Sequence, residues 1–73
     1  MARNEALVNR GAWLEALRAH DAAAHAMREL REAPSRRAHD RADAALTRFR
    51  RAIAGWTDRQ LAALHRKTAG RLQ

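Results

Sequence analysis

The sequence predicts an all-α protein, a small three-helix domain in which a long helical hairpin about Pro34 carries a short C-terminal helix. Alanine, arginine and leucine, all strong helix formers, dominate the 73 residues, whereas glycine occurs three times and proline once. Apolar residues also recur at the three- and four-residue spacing of one helical face. A chain of this length is expected to form a single domain, residues 1–73.

The first helix is predicted to end near Ala33. Pro34 cannot lie inside a helix, and it also disfavours helical backbone in the residue before it. Ser35 can accept a backbone hydrogen bond as the N-cap of a second helix, which should therefore begin near Arg36.

A repeat with a period of 19 residues predicts how these two helices meet. Residues 18–23 recur as residues 37–42, with R-A-H-D common to both. Equivalent faces of the two helices should then pack together when the chain folds back, although chance duplication in an Ala- and Arg-rich sequence is an alternative. The predicted contact residues are Ala19, Ala23, Met27 and Leu30 on the first helix and Ala38, Ala42, Leu46 and Phe49 on the second.

The third helix is predicted over residues 58–69. Gly55 suits the left-handed position that follows the end of a helix. Thr57 and Gln60 form a T-x-x-Q capping box, in which each side chain accepts a hydrogen bond from the other residue's backbone. Both features place the start of this helix near Asp58.

The first helix has a second apolar face, which has two interpretations. The third helix can cover this face with Leu61 and Leu64, as in a three-helix bundle. Alternatively the face stays exposed and docks on another protein, because exposed apolar patches usually mark interfaces. The predicted partner-binding residues are Leu7, Val8, Trp13 and Leu14.

The net charge of the chain lies entirely on the C-terminal side of its proline. Residues 1–33 hold five arginines and five acids, whereas residues 34–73 hold ten arginines or lysines and three aspartates, which accounts for the net charge of +7. A basic half of this kind indicates a polyanionic partner, either nucleic acid or an acidic protein surface.

Four arginines of the second helix lie on one side of a helical wheel, and we call them the arginine ridge: Arg37, Arg41, Arg48 and Arg51. Further basic residues extend the same charge toward the C-terminus. Contact with phosphates or an acidic partner is favoured here over an ordinary solvated face. The predicted nucleic-acid-binding residues are Arg37, Arg41, Arg48, Arg51, Arg59, Arg66, Lys67 and Arg71.

The composition argues against an enzyme, a metal site and a cofactor. The chain has no cysteine and no tyrosine, and no nucleophile, base and orienting group can be assembled from it. Asp21 with His25 and His39 with Asp43 have i,i+4 spacing, which surface pairing explains as well as metal binding does. No apolar run is long enough to span a bilayer, so we expect a cytoplasmic protein, in a bacterial host if it is phage-encoded.

The second and third helices also have the spacing of a helix-turn-helix. Gly55 would occupy the turn, and residues 58–60 would lead the recognition helix. Two residues depart from the pattern. Arg51 stands where the motif needs a small residue, and Asp58 would direct a negative charge toward DNA.

Two resemblances bear on function. Residues 56–61, W-T-D-R-Q-L, resemble the arginine-rich short proteins of proteobacteria that end in an S/T-D-R-E/Q-L helix and bind RNA. The whole-chain profile, a neutral first half and a basic second half in one small helical domain, is similar to that of the small RNA-polymerase-binding regulators of Xanthomonas phages, which displace the σ factor and antiterminate. This resemblance implies that the N-terminal segment docks on a polymerase subunit and that the basic part lies near the exiting RNA.

The sequence therefore leads to three hypotheses. The first is a non-enzymatic transcription regulator that docks on host RNA polymerase through the first helix and places its basic half near nucleic acid. The second is a stand-alone DNA- or RNA-binding helical module, either as a monomer or as a homodimeric bundle. The third is a self-associating structural bundle without a nucleic-acid ligand.

Overall fold

The computed structural model describes residues 8–69, which form three α-helices. They are α1, Arg10–Glu32, α2, Arg36–Ala52, and α3, Asp58–Ala69. The predicted all-α, three-helix architecture, with a long hairpin and a short third helix, is confirmed.

Both helices of the hairpin begin at a polar N-cap. The Asn9 side-chain oxygen accepts a hydrogen bond from the backbone N–H of Ala12 at 2.8 Å, and Ser35 Oγ accepts one from Ala38 at 3.0 Å. These bonds satisfy amides that have no partner within the helix. The predicted cap at Ser35 is confirmed, and α1 ends at Glu32, close to the predicted boundary.

The buried residues between α1 and α2 are alanines. The buried residues of this seam are Ala16, Ala19, Ala23 and Ala26 on α1 and Ala38 and Ala42 on α2. The spacing on α1 is three, four and three residues, which keeps these small side chains on one face. Because alanine has no side chain beyond Cβ, the two backbones can approach closely.

The repeat thus predicts part of this seam correctly. Its four alanines are buried, but Met27, Leu30, Leu46 and Phe49 are only half-buried. Ala16 and Ala26, which are not among the predicted contact residues, complete the buried row on α1.

A second cluster holds α3 against the open end of the hairpin. Leu17 and Leu64 are buried there, and the aromatic rings of Trp13 and Trp56 stack with their centroids 6.0 Å apart and their planes 6° apart. Parallel, closely spaced rings of this kind add to the free energy gained from burying their surface. Trp13, Leu14 and Leu17 of the second apolar face of α1 therefore pack within the chain.

The turn between α2 and α3 has the geometry that the sequence predicts. Gly55 has a φ of +83°, in the left-handed region that favours glycine. Gln60 N donates to Thr57 Oγ1 at 3.1 Å, and Thr57 N donates to Gln60 Oε1 at 2.8 Å. The capping box is therefore confirmed.

Substitution of the cap gives a first test of this architecture. Thr57→Ala should lower the free energy of unfolding by about 1 kcal/mol, because the Gln60 amide loses its acceptor. Thr47→Ala is the matched control, since Thr47 is exposed within α2 and alanine is the better helix former. Urea unfolding measures both, and equal stability of the two variants would contradict the role of the cap.

Candidate nucleic-acid interface

All the basic side chains of α2 and α3 are exposed. They are Arg36, Arg37, Arg41, Arg48, Arg50, Arg51, Arg59, Arg66 and Lys67. Arg71, which the sequence also predicts as a contact residue, lies outside the described residues. The described part of the predicted interface is thus accessible to a ligand.

The arginine ridge divides into paired and unpaired residues. Arg48 Nε and Nη2 donate to the two carboxylate oxygens of Glu15 at 2.9 and 3.1 Å, and Arg41 Nε lies 3.5 Å from a carboxylate oxygen of Glu29. Arg37 and Arg51 have no acidic group within 4.0 Å among residues 8–69. Half of the ridge therefore links α2 to α1, and the other half faces solvent.

The contact between Glu15 and Arg48 shifts both ionisation equilibria. The hydrogen bonds from Arg48 lower the pKa of Glu15 below its ordinary value of 4.5, against a smaller opposing effect of desolvation, and the charges of Arg48 and Arg18 lower it further. The same hydrogen bonds raise the pKa of Arg48. Both side chains stay about half exposed, at 45% and 47%, so solvent screens the attraction and the pair contributes little to stability.

The pKa of Glu15 gives a second test. Arg48→Ala should raise it toward the ordinary value, whereas Arg51→Ala should leave it low. Because the pKa of Glu15 is lowered in the folded chain, the pair stabilises the fold above the ordinary pKa, and this contribution is lost as the pH falls through the lowered value. Carboxyl chemical shifts followed by NMR during an acid titration measure the change, and an unaltered pKa in Arg48→Ala would refute the assignment.

The basic residues of α3 lie away from its buried side. Arg59 and Arg66 are seven residues apart and so share one face of the helix. Leu64 and Thr68 are buried on the opposite side, where Thr68 Oγ1 donates to the carbonyl oxygen of Leu64 at 3.0 Å. Arg59 and Arg66 therefore point to solvent as a pair.

The helix-turn-helix hypothesis stays a prediction. Asp58 and Arg59 are exposed at the start of α3, as leading residues of a recognition helix would be. Gln60, the third of these residues, is half-buried, and its side-chain oxygen accepts a hydrogen bond from the backbone N–H of Thr57.

The predicted partner-binding residues lie largely against the core. Trp13 and Leu14 are half-buried and pack against the cluster that contains Leu17 and Leu64. Val8 is half-buried just before α1, and Leu7 lies outside the described residues. Packing under α3 accounts for Trp13 and Leu14, and docking through this surface stays a prediction.

Three histidines lie near acids. His20 lies 3.4 Å from Asp21, His25 lies 3.6 Å from Glu29, and the exposed His39 lies 3.8 Å from Asp43. No group of three or more histidines or acids in the described part of the chain could hold a metal ion. Nor is any helix there both long enough and apolar enough to cross a membrane.

Sequence reasoning missed the two acids that bind the ridge. Glu15 and Glu29 are fourteen residues apart and so lie on the same flank of α1, and Arg41 and Arg48 are seven apart on one flank of α2. This shared spacing is the signal that could have identified them once the hairpin was assumed.

The chain matches no family model, no curated protein and no solved structure.

Proposed function

We propose that this protein is a non-enzymatic nucleic-acid-binding module that contacts backbone phosphates through α2 and α3. The observation that carries the proposal is that every basic side chain on these two helices is exposed, in a half of the chain that holds all of its net positive charge. Of the hypotheses drawn from the sequence, this stand-alone module is the one that the geometry supports best.

Most of these cations are free to bind an anion. Only Arg41 and Arg48 pair with acids among the described residues. The exposed residues without such a partner are Arg36, Arg37, Arg50, Arg51, Arg59, Arg66 and Lys67. Arginine binds phosphate with two parallel hydrogen bonds, and each phosphate that it neutralises releases counterions from the nucleic acid.

The aromatic residues favour contact with the backbone over contact with the bases. Proteins that hold single strands by stacking need exposed aromatic rings. Here Trp13 and Trp56 stack on each other, and Phe49 packs in the same cluster, with its ring against His20 at a centroid distance of 5.8 Å. Binding should therefore depend strongly on salt and weakly on base sequence.

Titration of a short fluorescent DNA duplex tests the proposal. Between about 50 and 200 mM salt, log Kd should rise linearly with log salt concentration, and Arg51→Ala should lower the slope by about one on two duplexes of different sequence. Arg28→Ala, which removes an exposed arginine of the charge-neutral half, is the control and should have the smaller effect. Failure of the wild-type protein to bind either duplex at the lowest salt would refute the proposal.

Docking on RNA polymerase is a second proposal, and it would make the module a transcription regulator or antiterminator. The half-burial of Trp13 and Leu14 supports it, since each keeps part of its surface exposed near the start of α1, as the preceding Val8 does. The two proposals differ in the variant that impairs binding. Loss of the ridge arginines should weaken nucleic acid binding by the stand-alone module, whereas loss of Trp13 should abolish docking.

A further inference from the structure

An open groove of about 700 Å³ runs along α2 and reaches the side of α1. Thr47, Arg48 and Arg51 line it within little more than one turn of α2, and two alanines, Ala44 and Ala52, keep it wide. Two acids, Glu15 and Asp43, line it as well. The groove thus holds two guanidinium groups and a hydroxyl, which are donors that suit an anion.

The contact between Glu15 and Arg48 shows how an anion can bind in the groove. Its two carboxylate oxygens accept the Nε and Nη2 hydrogen bonds of Arg48, at 2.9 and 3.1 Å. A phosphate also binds a guanidinium through two parallel hydrogen bonds. The carboxylate of Glu15 therefore occupies the position that two phosphate oxygens would take. Arg51, three residues further along α2, has no acidic partner in the described chain.

The exchange of one anion for the other is feasible because the pair is accessible. Both side chains are about half exposed. Little stability is therefore lost when they separate. A phosphodiester is fully ionised around neutral pH, and Arg51 and Thr47 add donors that the Glu15 carboxylate does not use.

On the basis of the proposed function, we infer that this groove is a phosphate site for a nucleic-acid backbone, and that Glu15 competes for it. Arg48 and Arg51 bind the phosphodiester oxygens, and the Thr47 hydroxyl donates a further hydrogen bond. In the free protein Glu15 holds Arg48, and nucleic acid binding displaces it.

The decisive variant is Glu15→Gln, which removes the competing charge and keeps the size of the side chain. It should tighten duplex binding by up to about eightfold at 0.1 M salt, the gain expected for one more phosphate contact. Glu32→Gln is the matched control, because it makes the same change in net charge at an exposed residue at the end of α1. Fluorescence anisotropy measures the affinities, and thermal melting verifies that each variant is folded.

A double-mutant cycle assigns the gain to this groove. In an Arg48→Ala background the advantage of Glu15→Gln over Glu32→Gln should disappear, because the arginine that it releases is absent. Thr47→Val, which keeps the shape of the side chain, should weaken binding at constant net charge.

The outcomes separate the two proposals. If the wild-type protein binds no duplex, the proposed function itself is wrong. If it binds and the two glutamine variants have equal affinity, nucleic acid binding stands but Glu15 does not compete for the groove. If Glu15→Gln gains affinity for poly-glutamate by the same factor as for the duplex, the groove is a site for carboxylates. If pyrophosphate at the same concentration as the duplex displaces it, the groove is a site for free phosphates. Either result overturns the assignment to a nucleic-acid backbone.

Discussion

Replacement of Trp13 with alanine should lower the free energy of unfolding by about 3 kcal/mol, the lower end of the range for loss of a large aromatic side chain. The indole stacks on Trp56 and packs against the cluster that holds α3, and its half-burial keeps the loss from being larger. Urea unfolding measures the effect. Trp56→Ala should cost a similar amount, and the double variant should cost less than the sum of the two, because both lose the same contact.

The same variant separates core packing from docking. If Trp13 anchors an interface with RNA polymerase, its loss should abolish capture by purified polymerase while the unfolding curve stays unchanged. Val8→Ala is a second variant for the same two measurements, since Val8 lies in the predicted docking surface but outside α1. A stable Trp13→Ala protein that no longer binds polymerase would contradict the role in packing and support the regulator.

Ala42→Leu is expected to lower the free energy of unfolding by about 2–3 kcal/mol, through overpacking. Ala42 is 2% exposed and faces the alanine row of α1, so a leucine there forces the two helices apart. The control is Ala44→Leu, two residues further along α2, which places the same side chain on an exposed face and should be nearly neutral. Equal stability of the two variants would show that the contact between α1 and α2 can accommodate a leucine side chain without strain.

Local features of the fold were predictable from sequence because their partners lie within four residues. The break at Pro34, the cap at Ser35 and the box of Thr57 and Gln60 are all of this kind. Each depends only on side chains and backbone groups within four residues of one another, so no knowledge of the tertiary structure is needed.

Burial along the hairpin was harder to predict because it depends on the length of α3. With 12 residues, α3 is about 18 Å long, whereas the 23 residues of α1 span about 35 Å. It therefore covers only part of the hairpin, and Met27 and Leu46 stay half-buried although they continue the predicted faces.

The exposed cations of the candidate site could be predicted from the sequence, but the acids that pair with them could not. Exposure of Arg41 and Arg48 follows from the helical wheel of α2 alone. Their acids lie 12 and 33 residues away in sequence, and the distances depend on the register in which α1 and α2 pack. A wheel drawn for one helix contains no information about that register.

The stacked indoles provide the chain with an optical reporter of its own. Trp13 and Trp56 are its only tryptophans, and they belong to opposite sides of the contact between α1 and the segment that leads into α3. Indoles whose rings stack 6.0 Å apart perturb each other's emission, so the tryptophan fluorescence should change when the rings separate. The release of α3 can therefore be followed separately from the melting of the hairpin, without a label.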